Sequence, residues 1–365
     1  MVFVSNAESL TMLLNIDCGA TDSDSTWEID EKFIKSGQNM QINTTITLRE
    51  MTTLRFFPDG IESCYNLPLL GRERYLIRAG FYYGNYDGLS NPPAFDLRIN
   101  GQYWTTINST LTEDPIYVEM IYPVRRDSVK ICLVRVHNNN PFISSLQARV
   151  LPSNFYKLME NTTILNLHSR IHFGGERDVG KSTRFGGDED FNRIWKLKQM
   201  YNYHNVTSVR IPYGSSVSTE NWPPYMAVAD GISPPNGFNS ISMWFDLPPQ
   251  TSQAYFVFYF KEPEQSPPVS LVRRIEISIN GHQMALTEVP QMDKDAIQVV
   301  SLYPVPVAGS ANVTLQRAEG STFPPIINAM EVFTSMELSR AELAHHYPFM
   351  VLAFLHVFGL SMLLG

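Results

Sequence analysis

Two kinds of apolar pattern dominate the chain. FDLRING (95–101) and IEISING (275–281) alternate apolar and polar residues and then run into Asn-Gly, the commonest two-residue hairpin turn. VKICLVRV (129–136) and ANVTLQRA (311–318) alternate in the same way. YLIRAGF (75–81) and YFVFYF (255–260) are instead almost continuously apolar and rich in aromatic residues, which suits buried strands. Pro-rich connections such as NPPAF, WPPYM, SPPNG and QSPPVS mark loops or sheet edges. Before residue 347 no segment holds a helical period beyond about ten residues. The pattern therefore predicts an all-β chain of many short strands.

The last stretch is different. YPFMVLAFLHVFGLSMLLG (347–365) contains no Lys, Arg, Asp or Glu, and only His356 interrupts it. Its length lies at the lower limit for crossing a bilayer. We read it as a hydrophobic helix that tethers the protein to a membrane, either by spanning it or by exchange for a lipid anchor. A polar spacer over 337–346 precedes it.

The strand pattern occurs twice. Asn66-Leu67-Pro68 returns as Asp246-Leu247-Pro248, Tyr75 as Tyr255, and Ile99-Asn100-Gly101 as Ile279-Asn280-Gly281, each 180 residues later. Tyr122-Pro123-Val124 returns as Tyr303-Pro304-Val305, and PFISSLQA (141–148) as PPIINAME (324–331). Matches that keep their order with so little drift indicate two copies of one domain. The expected division is domain 1 over 1–152, a linker over 153–168 and domain 2 over 169–336. Each copy should form a β-sandwich or jelly roll.

Composition narrows the function classes. A hydrophobic content of 44% supports ordinary cores, and 24 Pro with 21 Gly fit short strands and turns. The net charge of −8 and the lack of any long Lys/Arg run argue against nucleic acid. Cys18, Cys64 and Cys132 carry no metal-type spacing, and they are compatible with one disulfide plus a thiol or with three thiols. Sequons at Asn43, Asn108, Asn161, Asn205 and Asn312 favour a secreted, glycosylated chain. No H-E-x-x-H or G-x-S-x-G signature appears, and no pair of carboxylates stands out for glycoside hydrolysis. An enzyme, a cofactor and a bound metal are not expected.

One motif points elsewhere. GERDVGKS (175–182) spells the phosphate-binding pattern G-x-x-x-x-G-K-[ST]. That site needs a helix directly after the lysine, whereas Gly186-Gly187 follow closely and Glu176, Asp178, Asp188, Glu189 and Asp190 crowd it with negative charge. RIHFGG (170–175) aligns better with NIDCGA (15–20), and Trp195 with Trp27, as the opening of the second domain. No nucleotide is expected.

Together these stretches carry a family resemblance. NIDCGA, LRFFPDGIESCYNLP (54–68), YLIRAGFYYGNYDG (75–88), FDLRING and PFISSLQARVLP (141–152) resemble the plant malectin-like ectodomain. DEDFNRIW (188–195), DLPP (246–249), ISINGH (277–282) and PPIINAMEVF (324–333) extend the resemblance through the second copy. It implies two tandem malectin-like β-sandwiches, carried in that family outside the plasma membrane on receptor-like kinases, though no kinase-like stretch occurs in these residues. Animal malectin binds glucose oligosaccharides through aromatic rings and an Asp. The corresponding positions are Tyr82, Tyr83, Tyr86 and Asp87 of FYYGNYDG, with Asn139 of HNNNPF in place of the Asp. Sugar C–H faces stack on aromatic rings while carboxylates and amides bond hydroxyls. In the second copy the matching loop, KEPEQSPP, has no aromatic.

The expected function is non-enzymatic recognition at the extracellular side of the plasma membrane. The ligand would be a cell-wall carbohydrate or a secreted peptide held between the domains. The alternative is a structural or co-receptor subunit that contacts another receptor ectodomain and takes no small ligand.

Overall fold

The computed structural model describes residues 13–175, 180–185, 191–208, 219–264, 271–290 and 296–343. In the first half, β1 (Leu13–Asp17), β2 (Glu62–Leu67), β3 (Arg74–Phe81) and β4 (Ala94–Ile99) are followed by β5 (Gln102–Asn108), β6 (Ile116–Pro123), β7 (Val129–Arg135) and β8 (Ser145–Val150). The second half begins with β9 (Thr163–His172), β10 (Ser182–Arg184) and β11 (Ile194–Leu197). It continues with β12 (Ser240–Asp246), β13 (Gln253–Phe260), β14 (Arg273–Ile279), β15 (His282–Val289), β16 (Gln298–Pro306), β17 (Ser310–Arg317) and β18 (Ala329–Glu337).

These strands make two four-stranded sheets, ordered β2-β7-β4-β5 and β12-β17-β14-β15, and one long sheet running β1-β8-β3-β6-β9-β18-β13-β16. The order in the second half repeats that of the first, position for position. Both Asn-Gly turns close hairpins as predicted, with Asn100 and Asn280 at φ 47° and 52° and their glycines at 82° and 79°. The aligned glycines of NIDCGA and RIHFGG also play one role. Gly19 and Gly174 have φ of 80° and 75°, and a Cβ on either would strike backbone, Leu54 O in one copy and Gly231 in the other.

The continuous apolar runs form interior strands of the long sheet, covered on both faces. From β3, Tyr75, Ile77, Ala79 and Phe81 point into a core with Leu97 and Ile99 of β4 and Ile131 and Leu133 of β7. From β13, Phe256, Phe258 and Phe260 point into the equivalent core with Ile275, Ile277, Val313 and Leu315. The opposite face packs a third core, in which Leu76 and Ile121 of the first half meet Tyr156, Trp195, Tyr255, Tyr259 and Phe333. At the open end of the long sheet, β16 carries Pro304 and Pro306, which lack the amide hydrogens of a pairing edge.

Two stretches expected to lie outside the lobes belong to the fold. The predicted linker, 153–168, contains the first half of β9, which pairs with β6 through Leu165 opposite Ile121 and Asn166 opposite Met120. The two halves thus share one hydrogen-bonded sheet. The predicted polar spacer folds back on the first lobe through 343. Leu338 is buried in that lobe's core, and Gln102 clamps the turn by donating to Glu337 O (2.8 Å) and accepting from the Ser339 amide (3.0 Å). Residues 182–184 after Lys181 form a strand paired with β11, in keeping with the expectation that the helix a phosphate loop needs does not start there. Residues 176–179 and 186–190 of that stretch lie outside the described residues, as does 347–365. Among the described residues no helix is long and apolar enough to cross a membrane.

Of the three cysteines, Cys64 and Cys132 are directly opposed on β2 and β7 and form a disulfide, while Cys18 is a buried thiol. The one group of metal-type ligands among the described residues, Glu62 with Cys64 and Cys132, has both sulfurs engaged in that bond.

Candidate functional site

The first-lobe loop places its aromatic residues inward. Tyr82 and Tyr83 are 8% and 2% exposed and belong to the first core. The Tyr83 ring packs on Tyr86 and Phe142, and Tyr86 packs on Phe56 and Phe142, at centroid distances of 5.3–6.1 Å. Tyr82 accepts a hydrogen bond from Thr44 (3.1 Å), and Tyr83 donates to the exposed Asp87 (2.5 Å). Asn139 is half-buried and donates to Ala94 O (3.2 Å), fixing the approach to β4. The cluster is a packed aromatic cap. A sugar would find neither Tyr82 nor Tyr83 open as a stacking platform, because Phe142 and Phe56, distant in sequence, close over the loop.

Concave surface lies instead where the lobes join. Strands β6 and β9 pair through only two residue pairs and then diverge. Two adjoining cavities, of about 330 and 380 Å³, open over this junction and share Val118, Glu119, Leu167 and His168 in their linings. Tyr103, 48% exposed, forms the first-lobe wall of the smaller cavity, and Gln250, Thr251 and Ser335 form the second-lobe wall. His168 falls at a β-bulge between Leu167 and Ser169, an irregularity that re-aims a side chain; it is exposed and lines both cavities. None of the five predicted ligand residues lines either cavity.

Along the floor of the cleft and away from it, a polar row crosses six neighbouring strands. Asn15, Gln147, Arg78 and Glu119 stand directly opposite one another on β1, β8, β3 and β6. Arg170 and Glu331 continue the row on β9 and β18. Each bonds the next: 2.8 Å from Gln147 to Asn15, 3.0 Å from Arg78 to Gln147, 2.9 Å from Arg78 to Glu119, 2.5 Å from Arg170 to Glu119 and 3.2 Å from Arg170 to Glu331. Glu331 also accepts from Tyr156 (2.7 Å) and Arg193 (3.3 Å). Arg170 and Arg193 both lie over the Trp195 ring. Glu119 thus bonds a guanidinium from each lobe where the strands begin to part. Burial pushes its carboxyl up, but Arg170 and Arg78 outweigh burial and hold its pKa at about 2. It stays ionised and is no general acid.

The P-loop lettering also resolves at this junction. Ser182 donates to Asp114 (3.3 Å), and Arg184 pairs with Glu50 (2.7 Å) and covers the Tyr117 ring. These residues join the second lobe to the first.

Two groups make the fold sensitive to acid. Burial lowers the His172 pKa to about 4, with only partial opposition from Asp230, so the folded state resists its protonation. Stability is complete above the unfolded histidine value near 6.5 and falls as pH drops toward 4. The Glu119 contribution, present above the ordinary glutamate value of 4.5, is lost as pH falls toward 2. Urea midpoints should therefore fall between pH 7 and 4, and His172→Phe should flatten the upper part of that profile. An unchanged midpoint from pH 7 to 4 would contradict the His172 assignment, and one unchanged from pH 4.5 to 2 the Glu119 assignment.

A two-lobed, mostly β fold with a cleft over a shared sheet is the class that this geometry defines. The Malectin-like domain model matches residues 16–335, and the chain belongs to the malectin-like family. It is 27% identical over 357 residues to Receptor-like protein kinase At3g21340 and 29% identical over 374 residues to Probable LRR receptor-like protein kinase At1g51890, both of Arabidopsis thaliana. The alignments cover 94% and 97% of this chain but only 38% and 41% of those relatives. Among solved structures, the ANX2 ectodomain from Arabidopsis thaliana superposes with a TM-score of 0.68 at 16% identity, covering 89% of this chain and 97% of that one. A structure described as plant peptide RALF23 in complex with FER and LLG2 matches with a TM-score of 0.65 at 16% identity, covering 89% and 95%. At such identities the structural likeness speaks for the fold.

Proposed function

We propose that the chain is the non-enzymatic recognition part of a receptor-like protein on the outer side of the plant plasma membrane, and that it takes a secreted peptide in the cleft between its lobes. The observation that carries this reading is the cleft itself, set on a continuous sheet and walled by both lobes. Ligands favour such interfaces, and a preformed groove spares the cost of ordering it. Its lining of amides, hydroxyls and one exposed tyrosine suits a peptide backbone with an anchoring side chain. Asn166 Oδ1, buried at the cleft, accepts no hydrogen bond among the described residues and would receive a peptide amide. A cell-wall carbohydrate on Tyr82 and Tyr83 is less well supported, because their rings are packed.

The receptor-like kinases among the relatives support the extracellular placement, as do the five sequon asparagines, all exposed. Membrane attachment through 347–365 belongs to the same reading. The related complex of a peptide with FER and LLG2 supports a second mode, in which this chain also contacts another receptor component.

Titration of the purified protein against a panel of synthetic secreted plant peptides and of glucan and pectin oligosaccharides tests the reading. Peptide binding should weaken at least about tenfold in Tyr103→Ala, an exposed anchor at the cleft wall, and be unchanged in Tyr86→Ala. Saccharide binding that is lost in Tyr86→Ala and kept in Tyr103→Ala would overturn it.

A further inference from the structure

On the outer sheet of the second lobe, Trp244 is 56% exposed, in a row otherwise made of Ser240, Ser242 and Asp246. Its indole N–H donates to Asp246 (2.7 Å), which fixes the ring on the surface. Directly opposite, on β17, stands Asn312, the exposed asparagine of the sequon Asn312-Val313-Thr314. The pairing type follows from the backbone. Asn312 N–H donates to Asn280 Oδ1 and Asn312 O accepts from Asn280 N–H, both at 2.8 Å, on the side away from β12. Trp244 and Asn312 are therefore a non-hydrogen-bonded pair, the geometry in which opposed Cα atoms lie about 4.5 Å apart and side chains are closest. The Asn312 side-chain amide has no hydrogen bond among the described residues.

The other sequons lack this arrangement. Asn108 and Asn205 stand opposite Ala94 and Ile232, and Asn43 and Asn161 lie outside the strands.

We propose that Asn312 carries an N-linked glycan whose first N-acetylglucosamine lays its C–H face on the Trp244 ring. The glycan comes from the host's lipid-linked diphosphate donor: the sugar C1–O bond breaks, the diphosphate leaves with its electron pair, and the Asn312 side-chain nitrogen gives up one proton as it forms the C1–N bond. The cross-strand spacing then sets that sugar beside the indole. Stacking of sugar C–H groups on an aromatic face covers apolar surface that otherwise meets water. The glycan would thereby close this outer sheet to other partners and leave the inter-lobe cleft as the open recognition surface. The inference rests on the extracellular placement proposed above.

The test uses the protein secreted from a host that adds high-mannose glycans. Peptide mapping by mass spectrometry reads occupancy at all five sequons, and acrylamide quenching reads access to Trp244, isolated as the difference between the parent and Trp244→Phe. Asn312 should be occupied. Trimming with an endoglycosidase that leaves one N-acetylglucosamine should not change the quenching. Asn312→Gln and Thr314→Ala, which both abolish the sequon, should raise it by about twofold as the covered ring face opens. An unmodified Asn312 beside occupied sequons elsewhere, or quenching that is the same in both variants as in the parent, would overturn the glycan–tryptophan pair. Secretion with all five sequons bare would instead remove the extracellular reading on which it rests.

Discussion

Replacing Glu119 with alanine should lower the unfolding free energy by about 3–5 kcal/mol, the cost of leaving a buried charge network without its counter-ion. The residue is 4% exposed, and its two oxygens hold Arg78 of the first lobe and Arg170 of the second. Without it, two guanidiniums face each other across the point where β6 and β9 part. Urea denaturation should show the loss as a lower midpoint. Two controls separate this from generic damage. Lys32→Ala, which breaks the exposed pair with Glu28, should cost less than about 0.5 kcal/mol. Replacing Arg78, Glu119 and Arg170 together by Met, Leu and Met should recover most of the loss, because no unpaired charge is then buried. A Glu119→Ala midpoint equal to the parent's would mean that the row is hydrated in solution.

The second large effect concerns Cys64 and Cys132. The bridge spans 68 residues and ties β2, the edge strand of the first four-stranded sheet, to β7. Closing a loop of that length restricts the unfolded chain enough for about 4 kcal/mol of stabilisation. Cys64→Ala/Cys132→Ala should lose most of this, and dithiothreitol should lower the parent's midpoint while leaving the variant's unchanged. Parent and variant responding alike to reductant would contradict the pairing.

Much of the fold is legible in the sequence, because strand alternation and Asn-Gly turns are local signals. FDLRING and IEISING form the predicted hairpins, and the repeat spacing of 180 corresponds to an identical strand order in the two halves. The junction is less legible. The start of β9 falls in the predicted linker 153–168, since Arg170 looks like a surface residue until Glu119 and Glu331 arrive from other strands. The disulfide has the same character: β2 and β7 are neighbours only in the folded sheet. In FYYGNYDG the tyrosines look available because Phe56 and Phe142, which cover them, come from distant parts of the chain. Leu338 similarly looks solvated amid ELSRAELAHH, yet it completes the first core. The cleft residues Tyr103, Asn166, His168 and Gln250 carry no motif. Only the junction gathers them.

The central claim is that the two lobes form one body with a preformed cleft between them. Hydrogen exchange of the purified protein tests it most directly, read on peptides covering β6 and β9 against peptides covering β3 and β13. If the lobes are joined as described, the amides of Met120, Ile121, Leu165 and Asn166 exchange only through global unfolding, with the same protection as the sheet centre. Fast exchange at β6 and β9 while β3 and β13 stay protected would show that the lobes part independently, and would contradict the account.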